Sequence, residues 1–333
     1  MKNYNVAVIG VGAVGEEMLR VLKQRRFPIN QIKVFARRNR EITVDGAKYQ
    51  VEELKPESFK GIDIALFAGT EGDKGAAVQY ASEAIKHGAV VIDNGADFRM
   101  RKDVPLVVPE ANAADIKKHK GIIANPNCST IQMVVALAPI KKKAGLKRII
   151  VSTYQAVSGS GRSGIVQAQN EFKSWASGSG EQVPISMSQS VRFNIFPHIG
   201  GFNEDGSTTE EMKMVHETHK ILHDSKIKIT ATTVRVPVLN GHSEAVYIET
   251  QKTISPAQVR SLLKKAPGII VMDDPQKGVY PMPIHCDGKD EVFVGRIRLD
   301  PSIKNGLWLW VVADNLRKGA ATNAIQIAEE LIK

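Results

Sequence analysis

The stretch Asn5-Val6-Ala7-Val8-Ile9-Gly10-Val11-Gly12-Ala13-Val14-Gly15-Glu16-Glu17-Met18 decides the fold of this chain. Residues 5–9 are, after Asn5, apolar and largely β-branched, as a buried strand requires. From there Val14, Met18, Val21 and Leu22 recur at helical spacing. Between strand and helix, glycines at the first, third and sixth positions let the backbone turn tightly and approach a pyrophosphate seated on the helix N-terminus. A plain structural turn is the alternative, but a motif placed between a strand and a helix favours nucleotide binding. Gly10, Val11, Gly12, Ala13, Val14 and Gly15 are therefore candidate cofactor-binding residues.

Working outward, short apolar runs follow at 32–36, 63–68, 89–92 and 121–124, with a helical pattern at 76–87 ahead of Gly88. Such alternation predicts a parallel, doubly wound sheet of the Rossmann kind. Beyond Cys128 the texture changes to longer β-rich segments at 148–154, 229–238, 244–250, 291–299 and 307–313, which predicts a mainly antiparallel or mixed sheet. A glycine- and serine-rich stretch, 158–190, holds a helical pattern around 165–176 and is expected to be mobile or to contact a partner. At 315–332, Leu316, Ala320, Ala324, Ile327, Ala328 and Leu331 share one helical face, so this last helix is expected to pack back on the first domain. The fold class is thus α/β, with a Rossmann-like doubly wound domain at 1–127 and 314–333. An α+β domain at 128–313 completes it.

The 333 residues are 43% hydrophobic and 24% charged, with no low-complexity tract, so large-scale disorder is excluded. Neither a membrane-spanning run nor a signal core is visible, which predicts a cytoplasmic protein. Two cysteines are too few for a disulfide framework or a thiolate zinc site, and no metal is expected. The net charge of +10 suits nucleic acid, membrane or small anions alike. Its basic residues are scattered, however, and the longest run, Lys141-Lys142-Lys143, ends a predicted helix where cations favour the dipole. Neither nucleic acid nor membrane is expected as a partner.

An NAD-binding domain offers an acidic residue some way past the glycines, at the end of its second strand; here that position reads Ala36-Arg37-Arg38-Asn39. Guanidinium groups attract a 2′-phosphate that a carboxylate would repel, so Arg37 and Arg38 point to NADP, with ordinary surface arginines as the alternative. Cys128 sits in Asn125-Pro126-Asn127-Cys128-Ser129-Thr130, ahead of a helical stretch that Pro139 is expected to bend or end. A thiol at a helix N-terminus has a lowered pKa and becomes nucleophilic, and nearby amides such as Asn127 suit an oxyanion. A small buried hydrophobe is the other reading of a lone cysteine, and local chemistry leaves both open. Cys286 lacks a helix start and is read as incidental.

Five stretches go further: 125–130 around the cysteine, 152–159 (Ser-Thr-Tyr-Gln-Ala-Val-Ser-Gly), 210–213 (Glu-Glu-Met-Lys), 235–238 with 241–244 (Arg-Val-Pro-Val and Gly-His-Ser-Glu), and 294–298 (Val-Gly-Arg-Ile-Arg). Together they resemble the aspartate-β-semialdehyde dehydrogenase family over nearly the whole chain. The resemblance implies reversible NADPH-dependent reduction of L-aspartyl 4-phosphate to L-aspartate 4-semialdehyde and phosphate, toward diaminopimelate, lysine, threonine and methionine. It makes Cys128 the acyl-thioester nucleophile, His242, expected in a turn between two strands, the acid/base group, and Gln155 the residue that positions substrate beside the thioester. Arg235 would clamp the α-carboxylate, Glu210 would receive the ammonium, and Asn127 would contact substrate. Arg99 and Lys213 would bind phosphate; Ser158, Gly159 and Asn315 would contact the cofactor. A homodimer is implied, with a homotetramer as the alternative, and 128–313 becomes the catalytic and dimerisation domain. The spacing Gly10, Gly12, Gly15 is one residue shorter than the family's usual loop, which implies a tighter turn. Competing readings are a reductase of acetylglutamyl-phosphate or malonyl-CoA type and a catalytically silent binding relative. Arg235 with Glu210, which together demand an α-amino acid, argue against the former, and the intact Cys128, His242 and Arg235 against the latter.

Overall fold

The computed structural model describes residues 2–69, 72, 75–179 and 181–333. Met1 of the amino-terminal stretch and Gly180 of the 158–190 segment lie outside the described residues. The chain divides into one unit of Met1–Asn127 with Ala320–Lys333 and a second of Cys128–Gly319. Residues 314–319 go with the second unit, where Asp314 and Asn315 hydrogen-bond the 240–241 turn.

In the first unit the elements run β1 (Tyr4–Ile9), α1 (Ala13–Gln24), β2 (Ile29–Ala36), β3 (Arg40–Val44), β4 (Ala47–Glu53), β5 (Ile64–Phe67), α2 (Ala76–Lys86), β6 (Val90–Asp93), α3 (Pro109–Asn112) and β7 (Ile122–Ala124). They form a seven-stranded sheet in the order β3-β4-β2-β1-β5-β6-β7. All neighbours are parallel except the β3/β4 pair at the edge. That hairpin is absent from the sequence reading above, although Asp45-Gly46 is a known turn signal. Both residues adopt positive φ, +47° and +77°, as a tight turn between twisted strands demands. Because β2 and β5 flank β1 on opposite sides, the chain reverses its winding at the carboxyl end of β1. That is where an open sheet leaves a crevice for a ligand.

The buried face of α1, with Met18, Leu19, Val21 and Leu22, joins Val6, Val8, Ile64, Leu66, Ile92 and Ile123 of the sheet in one core. The C-terminal helix Thr322–Leu331 adds Ala324, Ile325, Ile327 and Ala328 to the same core, and Arg25 pairs with Glu329 at 2.7 Å. A π-helical turn, Arg317–Ala321, precedes that helix in place of the continuous α-helix the periodicity predicts.

The second unit contains α4 (Cys128–Ala144), β8 (Leu146–Gln155), α5 (Gly161–Ser177), α6 (Thr209–Leu222), β9 (Lys228–Arg235), β10 (His242–Thr250), α7 (Pro256–Lys264), β11 (Ile269–Val271), α8 (Pro283–Cys286), β12 (Val292–Leu299) and β13 (Gly306–Ala313). Its six-stranded sheet has the order β11-β12-β13-β10-β8-β9 and is mixed: β8/β9 and β11/β12 are parallel, the other pairs antiparallel. Every residue from Ser129 to Leu137 is buried, so α4 is a central helix covered on all sides. It continues past Pro139 to Ala144. Burial of Ile140 and Ala144 on the sheet and neighbouring helices offsets the one backbone bond that proline forfeits.

Candidate active site

Alternation along the strands sets which side chains meet. Gln155 lies opposite Arg235 in the parallel β8/β9 pair, and Thr153 opposite Glu244 in the β8/β10 pair. Residues i and i+2 share a sheet face. One face therefore carries Thr153 and Gln155, Arg235, and His242 and Glu244, and α4 packs against β10 there. The polar group gathers where β8 and β9 end and β10 begins.

His242 is completely buried. It stands at the first position of β10 and not in the turn itself, which ends at Gly241. That glycine has φ +92°, and a Cβ there would lie 2.8 Å from the Cys286 sulfur, so only glycine fits. The turn is held by Asn315, whose Oδ1 accepts from the Gly241 N–H at 2.9 Å, and by Asn240, which donates to Asp314 at 2.8 Å and Asp287 at 2.7 Å. Asn315 also donates to the Ser158 hydroxyl at 2.9 Å, so Ser158 and Asn315 brace the segment leading into His242.

The backbone N–H of Ala156 points at His242 Nδ1, 3.0 Å away. Nδ1 must accept that bond, which leaves the proton of the neutral ring on Nε2. Burial, and then the nearby Arg235 charge, push the imidazole pKa well down, so the ring is uncharged at neutral pH. Gln155, also buried, is oriented by Thr153, whose hydroxyl donates to Oε1 at 3.0 Å; its Nε2 then donates to Glu210 at 3.2 Å. The Gln155 amide nitrogen comes within 3.5 Å of His242 Nε2.

Arg235 is 4% exposed, and its Nη1 donates to the Ala156 carbonyl at 2.5 Å. Burial pulls its pKa down, while Glu210 and Cys128 stabilise the cation. Since a guanidinium stays protonated in any case, it is a fixed buried charge facing both groups. Glu210 lies in the first turn of α6, which Thr208 and Glu211 cap reciprocally: the Thr208 hydroxyl accepts from the Glu211 N–H and the Glu211 carboxylate from the Thr208 N–H. Lys213, one turn on, reaches Glu210 at 3.6 Å. This is no ordinary surface pair, because Glu210 is buried.

Cys128 begins α4 and is half-buried. Gly159 packs against two members of the group: a Cβ built on it would lie 2.9 Å from Arg235 Nη1 and 3.1 Å from His242 Nε2. Cys286, by contrast, is fully buried beside Gly241, and burial raises its thiol pKa, leaving it inert.

The remaining expected residues lie in the first unit. Gly10 has φ +97°, and Gly12, extended, precedes the first turn of α1 with no side-chain cap, so the first amides of that helix have no cap of their own. A Cβ on Gly15 would come within 1.8 Å of the Gly10 carbonyl oxygen. The loop therefore forms a bare backbone turn at a helix N-terminus, the position at which backbone amides can receive an anion. Arg37 and Arg38 are exposed just beyond β2, on the same carboxyl edge of the sheet. Arg99 is buried, with Nε donating to the Asn125 carbonyl at 2.9 Å and an Nη to the Asn94 carbonyl at 2.7 Å. Asn127 is buried as well.

Sequence reasoning missed Thr153, the Ala156 amide, Asn240 and Gln132. Alternation along β8 could have found Thr153, and the four-residue step from Cys128 could have found Gln132. The Ala156 amide carries no sequence signal, since every residue has one. No cluster of metal-ligating side chains occurs among the described residues.

Two family models match: the NAD binding domain of semialdehyde dehydrogenases over residues 5–119 and their dimerisation domain over residues 137–318. Aspartate-semialdehyde dehydrogenase of Aquifex aeolicus is 54% identical over 99% of this chain and 98% of its own length. Among solved structures, aspartate semialdehyde dehydrogenase II of Vibrio cholerae complexed with ASA superposes with a TM-score of 0.94 at 43% identity, covering 100% of this chain and 99% of that one. The Candida albicans enzyme with NADP gives 0.75 at 26% identity, with 99% of each chain covered. The chain belongs to the aspartate-semialdehyde dehydrogenase family.

Proposed function

We propose that the chain is an oxidoreductase that converts L-aspartyl 4-phosphate to L-aspartate 4-semialdehyde and phosphate, reversibly, with NADPH as reductant. The observation that carries this reading is the convergence of Gln155, Arg235, His242 and Glu210 at one end of the six-stranded sheet. A buried guanidinium and a buried carboxylate suit the carboxylate and ammonium of one amino acid. An acetylglutamyl or malonyl substrate has no free ammonium for Glu210.

Cys128 works as a thiolate, stabilised by the N-terminus of α4 and the Arg235 charge. Its sulfur attacks the acyl phosphate carbon and forms a thioester, and phosphate departs as an anion for which Lys213 and Arg99 are the proposed ligands. Residues 10–15 would hold the cofactor's pyrophosphate and Arg37 and Arg38 its 2′-phosphate, with Ser158, Gly159 and Asn315 the residues proposed for its nicotinamide; when bound it would supply the hydride that reduces the thioester. His242, with its proton on Nε2, donates a hydrogen bond to the carbonyl oxygen and to the oxyanion of the thiohemiacetal that follows. Gln155 and Asn127 offer further amide donors. Collapse of that oxyanion releases the aldehyde and regenerates the thiolate. No external base is needed, which agrees with an imidazole whose Nδ1 is already engaged.

The arginines and the absence of an acidic residue after β2 support NADP over NAD. The dimerisation-domain match supports a homodimer. The sheet face opposite the active site is aromatic: Tyr154, Tyr247, Trp308 and Trp310 lie on it, Trp308 and Trp310 line a groove of about 420 Å³ together with Tyr280 and Pro281, and it is the surface a second copy would cover. Purified protein assayed with aspartate semialdehyde and phosphate or arsenate, with NADP and NAD compared, tests the reading. Reduction of NADP is expected only with the anion present; anion-independent turnover, or a preference for acetylglutamyl phosphate, would overturn it.

A further inference from the structure

Glu244 has no place in the chemistry above, yet it lies two residues from His242 on the same strand face, fully buried, and neither carboxyl oxygen makes a well-formed hydrogen bond, the Gln132 amide alone interacting with it. Opposite it stand Thr153 of β8 and Val311 of β13. From α4, Gln132 faces it, one turn after Cys128, and Gln132 also donates from Nε2 to the His242 carbonyl at 3.3 Å. Its two causes of perturbation are burial, which raises its pKa well above the ordinary range, and the Gln132 amide, which opposes that; no charge on any neighbouring element contributes. His242, the titratable group that shares its strand face, has its pKa pushed well down by burial, whereas Tyr247 and Glu249 of the same strand point to the other face.

A carboxyl group in such a place costs stability that valine or leucine would not. Two of the polar arms that set the site, Thr153 on Gln155 and Gln132 on His242, flank it. An ionised group here would also raise the thiol pKa of Cys128 and draw a second proton onto His242. We propose that Glu244 is a positioning residue that works as an uncharged acid, acting through Gln132 to fix the start of β10, which carries His242, against α4, which carries Cys128. The proposal rests on the reading of Cys128 and His242 given above.

Three measurements test it. In the infrared difference between wild type and Glu244→Gln at about pH 8, a protonated-carboxyl carbonyl band is expected. Carboxylate bands in its place overturn the uncharged acid. In kinetics, Glu244→Leu is expected to lower kcat about ten- to a hundredfold with KM within about twofold, as small misplacements of reacting groups do, whereas Glu244→Gln retains most of the activity. Gln132→Leu cuts the same link from the helix side and is expected to lower kcat similarly, which covers the case of an unfolded Glu244→Leu. Wild-type kcat in either folded leucine variant overturns the positioning role. The pH midpoint of Cys128 alkylation by iodoacetamide is expected to be unchanged in Glu244→Gln, and a downward shift would mean that the wild-type group is charged. If Cys128→Ser stays active, the nucleophile reading fails by itself, and the infrared result still reports on Glu244.

Discussion

His242 and Glu244 share a strand face and burial, yet they load the fold with opposite pH dependences. The folded-state pKa of His242 is lowered, so the unfolded chain binds more protons. Its contribution to stability is present above the ordinary histidine value of about 6.5 and is lost as pH falls below it. Glu244 has a raised folded-state pKa, so its contribution is present below the ordinary glutamate value of about 4.3 and is lost as pH rises past it. Urea titrations across pH are expected to show His242→Gln reducing the loss of stability on acidification and Glu244→Gln raising stability at neutral pH. A neutral-pH loss in Glu244→Gln would contradict the second. Gly159 offers another residue-scale test. Alanine there would press on Arg235 and His242 at once, and kcat/KM is expected to drop about a hundredfold with little change in Tm. None of this was legible in sequence, because it depends on what lies across the strands.

At the scale of elements, two short motifs stand out, one in each unit. The Gly10–Gly15 loop was readable in advance, since strand, glycine spacing and helix are consecutive in the chain. Gly15→Ala would place a methyl group on the Gly10 carbonyl, and cofactor KM is expected to rise by about tenfold or more, read by titrating NADPH at saturating substrate. The cap of α6 was not read, though Thr208 and Glu211 fit the pattern. Thr208→Ala is expected to cost about 1 kcal/mol in denaturant titrations and to raise KM for the amino-acid substrate, because Glu210 rides on that first turn. Unchanged substrate KM would separate the cap from the ammonium site.

For the molecule as a whole, the surplus of positive charge, +10, suits an enzyme for anions, and kcat/KM is expected to fall as ionic strength rises from about 50 to 200 mM. Invariance would leave the charge without a role in substrate capture. The aromatic face of the second sheet gives a further test. Trp310→Glu is expected to shift the sedimenting mass from dimer to monomer, and an unchanged dimer would move the interface elsewhere. Sequence alone determined what is written locally: the strand-glycine-helix start, the two sheet textures and Cys128 before a helix; resemblance to the family added Arg235 and Glu210 as candidates for an amino acid. Tertiary structure decided the rest. Hydrogen bonds from Ala156 and Gln132 join residues brought together only by strand pairing and helix packing. The directions in which the His242 and Glu244 pKa values move follow from burial, a property of the folded surroundings and not of either residue's neighbours in the chain.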